Sequence, residues 1–151
     1  MQENGIRYFI SGHTDITQEQ FDFYYKDNII AAAQNPKNTF VMGSAPGADY
    51  MAQKLLVELL EKHPNGLDRI TVYYKGSKPE KIADPRIKTI GGFVSHDEKD
   101  AQMTRDSDID IAYVRTQEES KKLYGNKYKP NRISGTQKNI ERRFLHNHTK
   151  Y

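Results

Sequence analysis

The sequence predicts a three-layer α/β domain built on a mostly parallel sheet. Three observations predict it. Short β-branched and aromatic runs alternate with segments of helical periodicity. The stretch FVMGSAPGADYMAQKLL joins an apolar run to a glycine-rich turn and then to an amphipathic helix, the unit from which parallel sheets are built. The 151 residues carry no repeat, low-complexity tract or linker, so residues 1–151 form one domain.

Each element follows in order. Residues 7–11 (RYFIS) form the first strand, ending in Gly12-His13-Thr14-Asp15. Thr17 and Gln20 make a capping box, after which Phe21, Tyr24, Tyr25, Ile29, Ala32 and Ala33 mark a helical stripe closed by Asn35-Pro36. Residues 39–42 form the second strand. After Gly47, the apolar positions Ala48, Met51, Ala52, Leu55, Leu56 and Leu59 recur at helical spacing until His63-Pro64-Asn65-Gly66. ITVYY at 70–74 is the third strand, and 88–90 a short fourth before Gly91-Gly92. A helix over 95–106 opens on Ser95 and Glu98, a strand covers 109–114, and a last helix covers 135–146. Between the last two lies a basic, tyrosine-bearing loop.

Composition excludes several classes. With 36% hydrophobic and 28% charged residues the chain is polar, and no run approaches the roughly 20 apolar residues of a membrane span. No basic, then apolar, signal segment opens it, and zero cysteines remove disulfides and thiolate chemistry. A cytoplasmic protein without a membrane partner is expected. The charge is uneven: from Arg115 onward cations outnumber Glu118, Glu119 and Glu141, whereas the preceding part is net acidic.

Ligands of open α/β sheets bind beyond the carboxyl ends of the strands. Three segments qualify: Ser11-Gly12-His13-Thr14-Asp15, Gly43-Ser44-Ala45-Pro46-Gly47-Ala48-Asp49, and Ser134-Gly135-Thr136. The glycines allow close approach, and the helix starts offer N–H groups and a positive dipole end to an anion. Asp49 stands in the first helical turn, off the apolar stripe. It either complements the helix dipole, or hydrogen-bonds a ribose or organises the loop. His13 is an acid–base or phosphate candidate, with a plain surface role the commoner one for such a residue. Among the charges of 99–108 most read as a solvated helix face; Arg105 is kept as a phosphate partner for its bidentate geometry. No metal-ligand spacing occurs, so neither metal nor cofactor is expected.

The motif order resembles the SLOG superfamily of Rossmann-like domains, which includes the "lonely guy" phosphoribohydrolases and the DNA-processing protein A fold. The likeness rests on residues 9–14, on Gly43-Ser44-Ala45-Pro46-Gly47-Ala48-Asp49 with Met51-Ala52, on Lys99-Asp100-Ala101-Gln102-Met103 with Ser107-Asp108, and on Ser134-Gly135-Thr136. It implies a Rossmann-like domain whose glycine and threonine loops hold a nucleotide phosphate, with Asp49 supporting the site. The phosphoribohydrolases carry a glutamate two or three positions after the loop threonine. Here Lys138 and Asn139 stand there, and the next acid is Glu141.

The expected function is therefore binding of a nucleotide or nucleotide-derived small molecule, as a sensor or sequestering protein or with N-glycosidic cleavage. Ser11, Gly12, His13, Thr14, Gly43, Ser44, Gly47, Ala48, Asp49, Arg105, Ser134, Gly135 and Thr136 would contact it, and Asp49 or Glu141 would be the catalytic acid. A homo-oligomer is expected. The alternative is a nucleic-acid-binding module using Lys121, Lys122, Lys127 and Lys129, with Tyr124 and Tyr128 stacking on bases.

Overall fold

The structure, a computed structural model, describes residues 5–116, 118, 119, 122 and 135–149. Five strands form its sheet: β1 (Arg7–Ser11), β2 (Thr39–Gly43), β3 (Ile70–Lys75), β4 (Lys88–Phe93) and β5 (Ile109–Ala112). Their spatial order is β4-β3-β2-β1-β5, and every neighbouring pair is parallel rather than most of them. The chain thus walks outward from β1 to β4 and then crosses back to lay β5 on the free side of β1.

Thr17 caps the first helix as expected: its Oγ1 accepts from the Gln20 N–H, and Gln20 Oε1 accepts from the Thr17 N–H, both at 3.1 Å. The helix begins as α1 (Gln18–Phe21), passes through a π-helical segment (Asp22–Lys26) and continues as α2 (Asp27–Ala33). Then come α3 (Ala48–Leu60), α4 (His96–Asp106) and α5 (Gly135–Thr149). Ser95 Oγ accepts from the Glu98 N–H at 3.1 Å, but the Glu98 carboxylate returns to the N–H of Val94 instead of Ser95.

Alternation along the strands sorts side chains into two cores. Ile10, Phe40, Met42, Ile70 and Val72 pack with Phe21, Tyr25 and Ile29 and with Ala52, Leu56 and Leu60 on α3. On the other face Phe9, Val41 and Tyr73 meet Met103 of α4. There α5 lies along α4, fastened by buried Arg143. This guanidinium donates to the carbonyls of Thr104 (3.0 Å) and Ser107 (2.7 Å) and pairs with Asp110 at 3.1 Å. After β1 the chain leaves toward one face, and after β5 it reaches α5 on the other. The gap between β1 and β5 is therefore the topological switch point.

β5 stops at Ala112, short of the expected Val114, because the Tyr113 N–H donates to Tyr25 Oη at 3.0 Å rather than continuing the ladder. β4 runs on to Phe93, longer than expected, as an exposed edge strand.

Candidate functional site

Gly47 makes the first junction. Its φ of 80° lies in the region that glycine favours, and a Cβ there would strike the carbonyl oxygens of His13 and Thr14. The turn after β2 therefore nests on the turn after β1, and the Ala48 N–H donates to His13 O at 3.1 Å. Gly12 is equally confined, with the Tyr25 hydroxyl and Ala48 Cβ where its own Cβ would stand. Two of the three segments that the sequence marks do meet at the carboxyl edge of the sheet.

Over Gly43 the chain gathers charge. A Cβ on Gly43 would fall 2.6 Å from Asp49 Oδ2 and 3.1 Å from Lys99 Nζ, so the absence of a side chain makes room for both. Asp49 Oδ2 accepts from the Ala45 N–H at 3.3 Å. Lys99, buried in the first turn of α4, has its Nζ 3.7 Å from Asp100 Oδ1 and 3.2 Å from His96 Nδ1. Asp100 in turn is hydrogen-bonded by Asn139 of α5. The Asp49 residue keeps partial exposure, yet its carboxylate is enclosed. Burial pushes its pKa up to about 7; Lys99 opposes the rise, while Asp100 and Glu80 add to it. Burial raises Asp100 as well, against the pull of Lys99 and Arg142.

This alters the phosphate-loop expectation. The first amide of α3 is already taken by His13, and the anion facing the turn is the protein's own Asp49 carboxylate. Ser44 serves the scaffold: its Oγ accepts from the Glu80 N–H at 3.1 Å and its carbonyl from the Lys81 N–H at 2.9 Å. Gln53 completes that strap, donating to Gly43 O (3.3 Å) and Lys81 O (3.2 Å) and accepting from the Ala83 N–H (2.8 Å).

His13 faces the switch point, where its Nε2 accepts from the Arg115 N–H at 3.2 Å. Burial lowers its pKa and Arg115 lowers it further, which favours the neutral ring. Arg115 also pairs with Asp15 at 2.6 Å. Thr14 is exposed. Tyr25 Oη donates to Ser11 O at 2.7 Å, tying together the ends of β1 and β5.

On α5, Thr136 and Asn139 are buried while Gly135 is exposed, with no atom of the described residues within 4 Å of where a Cβ would stand. Asn139 sits against Asp100 and Arg143 against Thr104, so α5 runs parallel to α4 with its first turn at the carboxyl edge. Thr136 therefore belongs to the same edge as Asp49. Ser134 lies outside the described residues, as do Lys121, Lys127, Lys129, Tyr124 and Tyr128; Lys122 is exposed.

Two expected participants stand elsewhere. Arg105 is in the last turn of α4, exposed and donating to Gln102 Oε1 at 2.6 Å. That turn lies at the opposite edge of the sheet, where Asp108 Oδ2 accepts from the Arg7 N–H at 2.9 Å. Glu141 is exposed on α5, turned away from the face that buries Thr136, Asn139 and Arg143. Conversely, Lys99 and Asp100 are not the solvated helix face expected of them. Their position just after the Ser95 cap was the available clue, because a cap fixes which residues form the first turn.

Among the described residues no helix is long and apolar enough to cross a membrane, and no three His, Asp or Glu side chains group as metal ligands. No family model matches the chain, and no curated protein or solved structure matches it.

Proposed function

We propose that the protein binds a nucleotide or nucleotide-derived small molecule at the carboxyl edge of the sheet, with Asp49 as the proton-carrying group. The observation that carries this reading is the enclosed Asp49 carboxyl over Gly43, beside the buried cation of Lys99. A buried acid titrating near neutrality is costly to a fold, and such groups concentrate where proton chemistry or recognition needs them. A carboxyl poised near 7 both donates and accepts at physiological pH.

The reaction class that fits is cleavage of an N-glycosidic bond. Asp49 would give its proton to the departing nitrogen as the C–N bond breaks, the neighbouring carboxylates would favour positive charge developing on the sugar, and water would add to the anomeric carbon and return a proton to the Asp49 carboxylate. The motif likeness to the SLOG superfamily supports the same class; Lys138-Asn139 depart from its glutamate, and the enclosed Asp49 fits the acid's role better than the exposed Glu141.

A thermal-shift screen over nucleoside monophosphates, NAD derivatives and cyclic nucleotides tests the binding, with mass spectrometry of each incubated ligand to detect turnover. At least one should raise the melting temperature, and Asp49→Asn should remove any turnover while the variant stays folded. A flat screen across the whole panel overturns the reading.

A further inference from the structure

We infer that the ligand group seated above Gly43 is the vicinal diol of a sugar, and that any phosphate on the same molecule lies farther along the sheet edge. This rests on the proposed small-molecule site and narrows what enters it.

The independent observation is Ser11, at the end of β1. It is 6% exposed, and its Oγ finds no hydrogen-bond partner among the described residues. Along β1, Phe9 faces the α4 side and Ile10 the α3 side, so Ser11 returns to the α4 side. Along β2, Val41 and Met42 alternate likewise, and Gly43 returns to the α4 side. The register pairs Phe9 with Val41, and the same offset carried two residues on sets Ser11 beside Gly43. The Ser11 hydroxyl therefore emerges on the face where Asp49 Oδ2 and Lys99 Nζ stand, one strand over, at an inter-strand spacing of about 4.8 Å. Nothing on Gly43 separates them.

Two groups that each donate and accept, at neighbouring positions, match two adjacent hydroxyls. A phosphate matches poorly. Asp49, Asp100 and Glu80 all act on this spot, and the nearest cation, Lys99, is already shared by Asp100 and His96. A second negative charge placed there would meet like charge in a water-poor setting. A hydroxyl instead donates a hydrogen bond to Asp49 and accepts one from a neighbour, which satisfies the orphaned Ser11 as well.

The test uses the full chain with the ribonucleotide giving the largest thermal shift, the matching nucleoside, its 2′- and 3′-deoxy forms and inorganic phosphate, measured by calorimetry. Removing either hydroxyl should weaken binding about tenfold or more, and removing the phosphate should matter less. Ser11→Ala should keep or raise the ligand-free melting temperature, weaken the riboside about tenfold and erase the discrimination against the deoxy forms. Deoxy ligands binding as tightly as ribosides, Ser11→Ala binding like the parent, or protection by inorganic phosphate that Ser11→Ala abolishes would each overturn the inference while leaving nucleotide binding intact. If no riboside or ribonucleotide binds, the site reading fails and the inference falls with it.

Discussion

The Asp49 carboxyl gives up its proton only near neutral pH, because burial and the charges of Asp100 and Glu80 outweigh the pull of Lys99. Because the folded chain holds that proton up to about pH 7 and an unfolded aspartate releases it near 4, the native state binds more protons between the two values. The contribution of Asp49 to stability is therefore most favourable at acidic pH and is lost as pH rises from about 4 to about 7. Asp49→Asn should remove this slope, leaving a variant that matches or exceeds the parent at pH 8 by an amount on the order of a few kcal/mol. Urea unfolding from pH 4 to 8 measures it; parallel curves for the two proteins would contradict the enclosed carboxyl. His13 slopes the other way, since its lowered pKa makes protonation unfavourable in the fold and costs stability as pH falls below about 6.5.

At the scale of elements, the π-helical segment has a definite consequence. The wider turn brings Tyr25 into the core with its hydroxyl between β1 and β5, accepting from Tyr113 and donating to Ser11. π-Turns within helices are often found at functional sites, and this one sits under the switch point. Tyr25→Phe should cost roughly 1–3 kcal/mol by leaving those two backbone groups unpaired. Hydrogen exchange at the Tyr113 amide should rise more than at the amides of β3. Arg143→Met should cost more, about 3–5 kcal/mol, because it strands the largely enclosed Asp110 carboxylate and frees α5 from α4; denaturant titration reports the loss. Strands and helix starts were legible in the sequence because β-branched runs, caps and glycines act locally. The inward charges were not. In HDEKDAQMTRD nearly every position is polar, so which of them turns inward depends on where α5 docks, more than thirty residues later. Arg105 shows the same limit: six residues beyond Lys99 on one helix, it lies about 9 Å farther along the axis, enough to place it at the opposite edge.

For the molecule as a whole, the parallel order β4-β3-β2-β1-β5 gathers residues far apart in sequence at one edge. Ser11, Gly43, Asp49, Lys99 and Asn139 come from five elements, and only the first three lie in segments that the glycine turns announce. Alternating strands and helices made the α/β class readable and the carboxyl edge the place to look; the distribution of charge along that edge required the packed structure. Replacing Gln53 by Leu should test the whole arrangement. Its amide binds the β2 end to the 80–83 strap, so the variant should lose about 1–3 kcal/mol and loosen the Ser44 turn together with the strap, seen as shared protection loss in hydrogen exchange.

The aromatic stacking offers one more consequence. The chain has ten tyrosines and no tryptophan, and Tyr24 lies face to face with Tyr113 at 3.6 Å, next to the hydroxyl of Tyr25. A ring pair held that closely gives a coupled near-ultraviolet dichroism signal against a background free of indole. Any ligand that shifts the end of β5 by even a small rotation would change that signal, so the cleft carries its own optical reporter and can be titrated without a label.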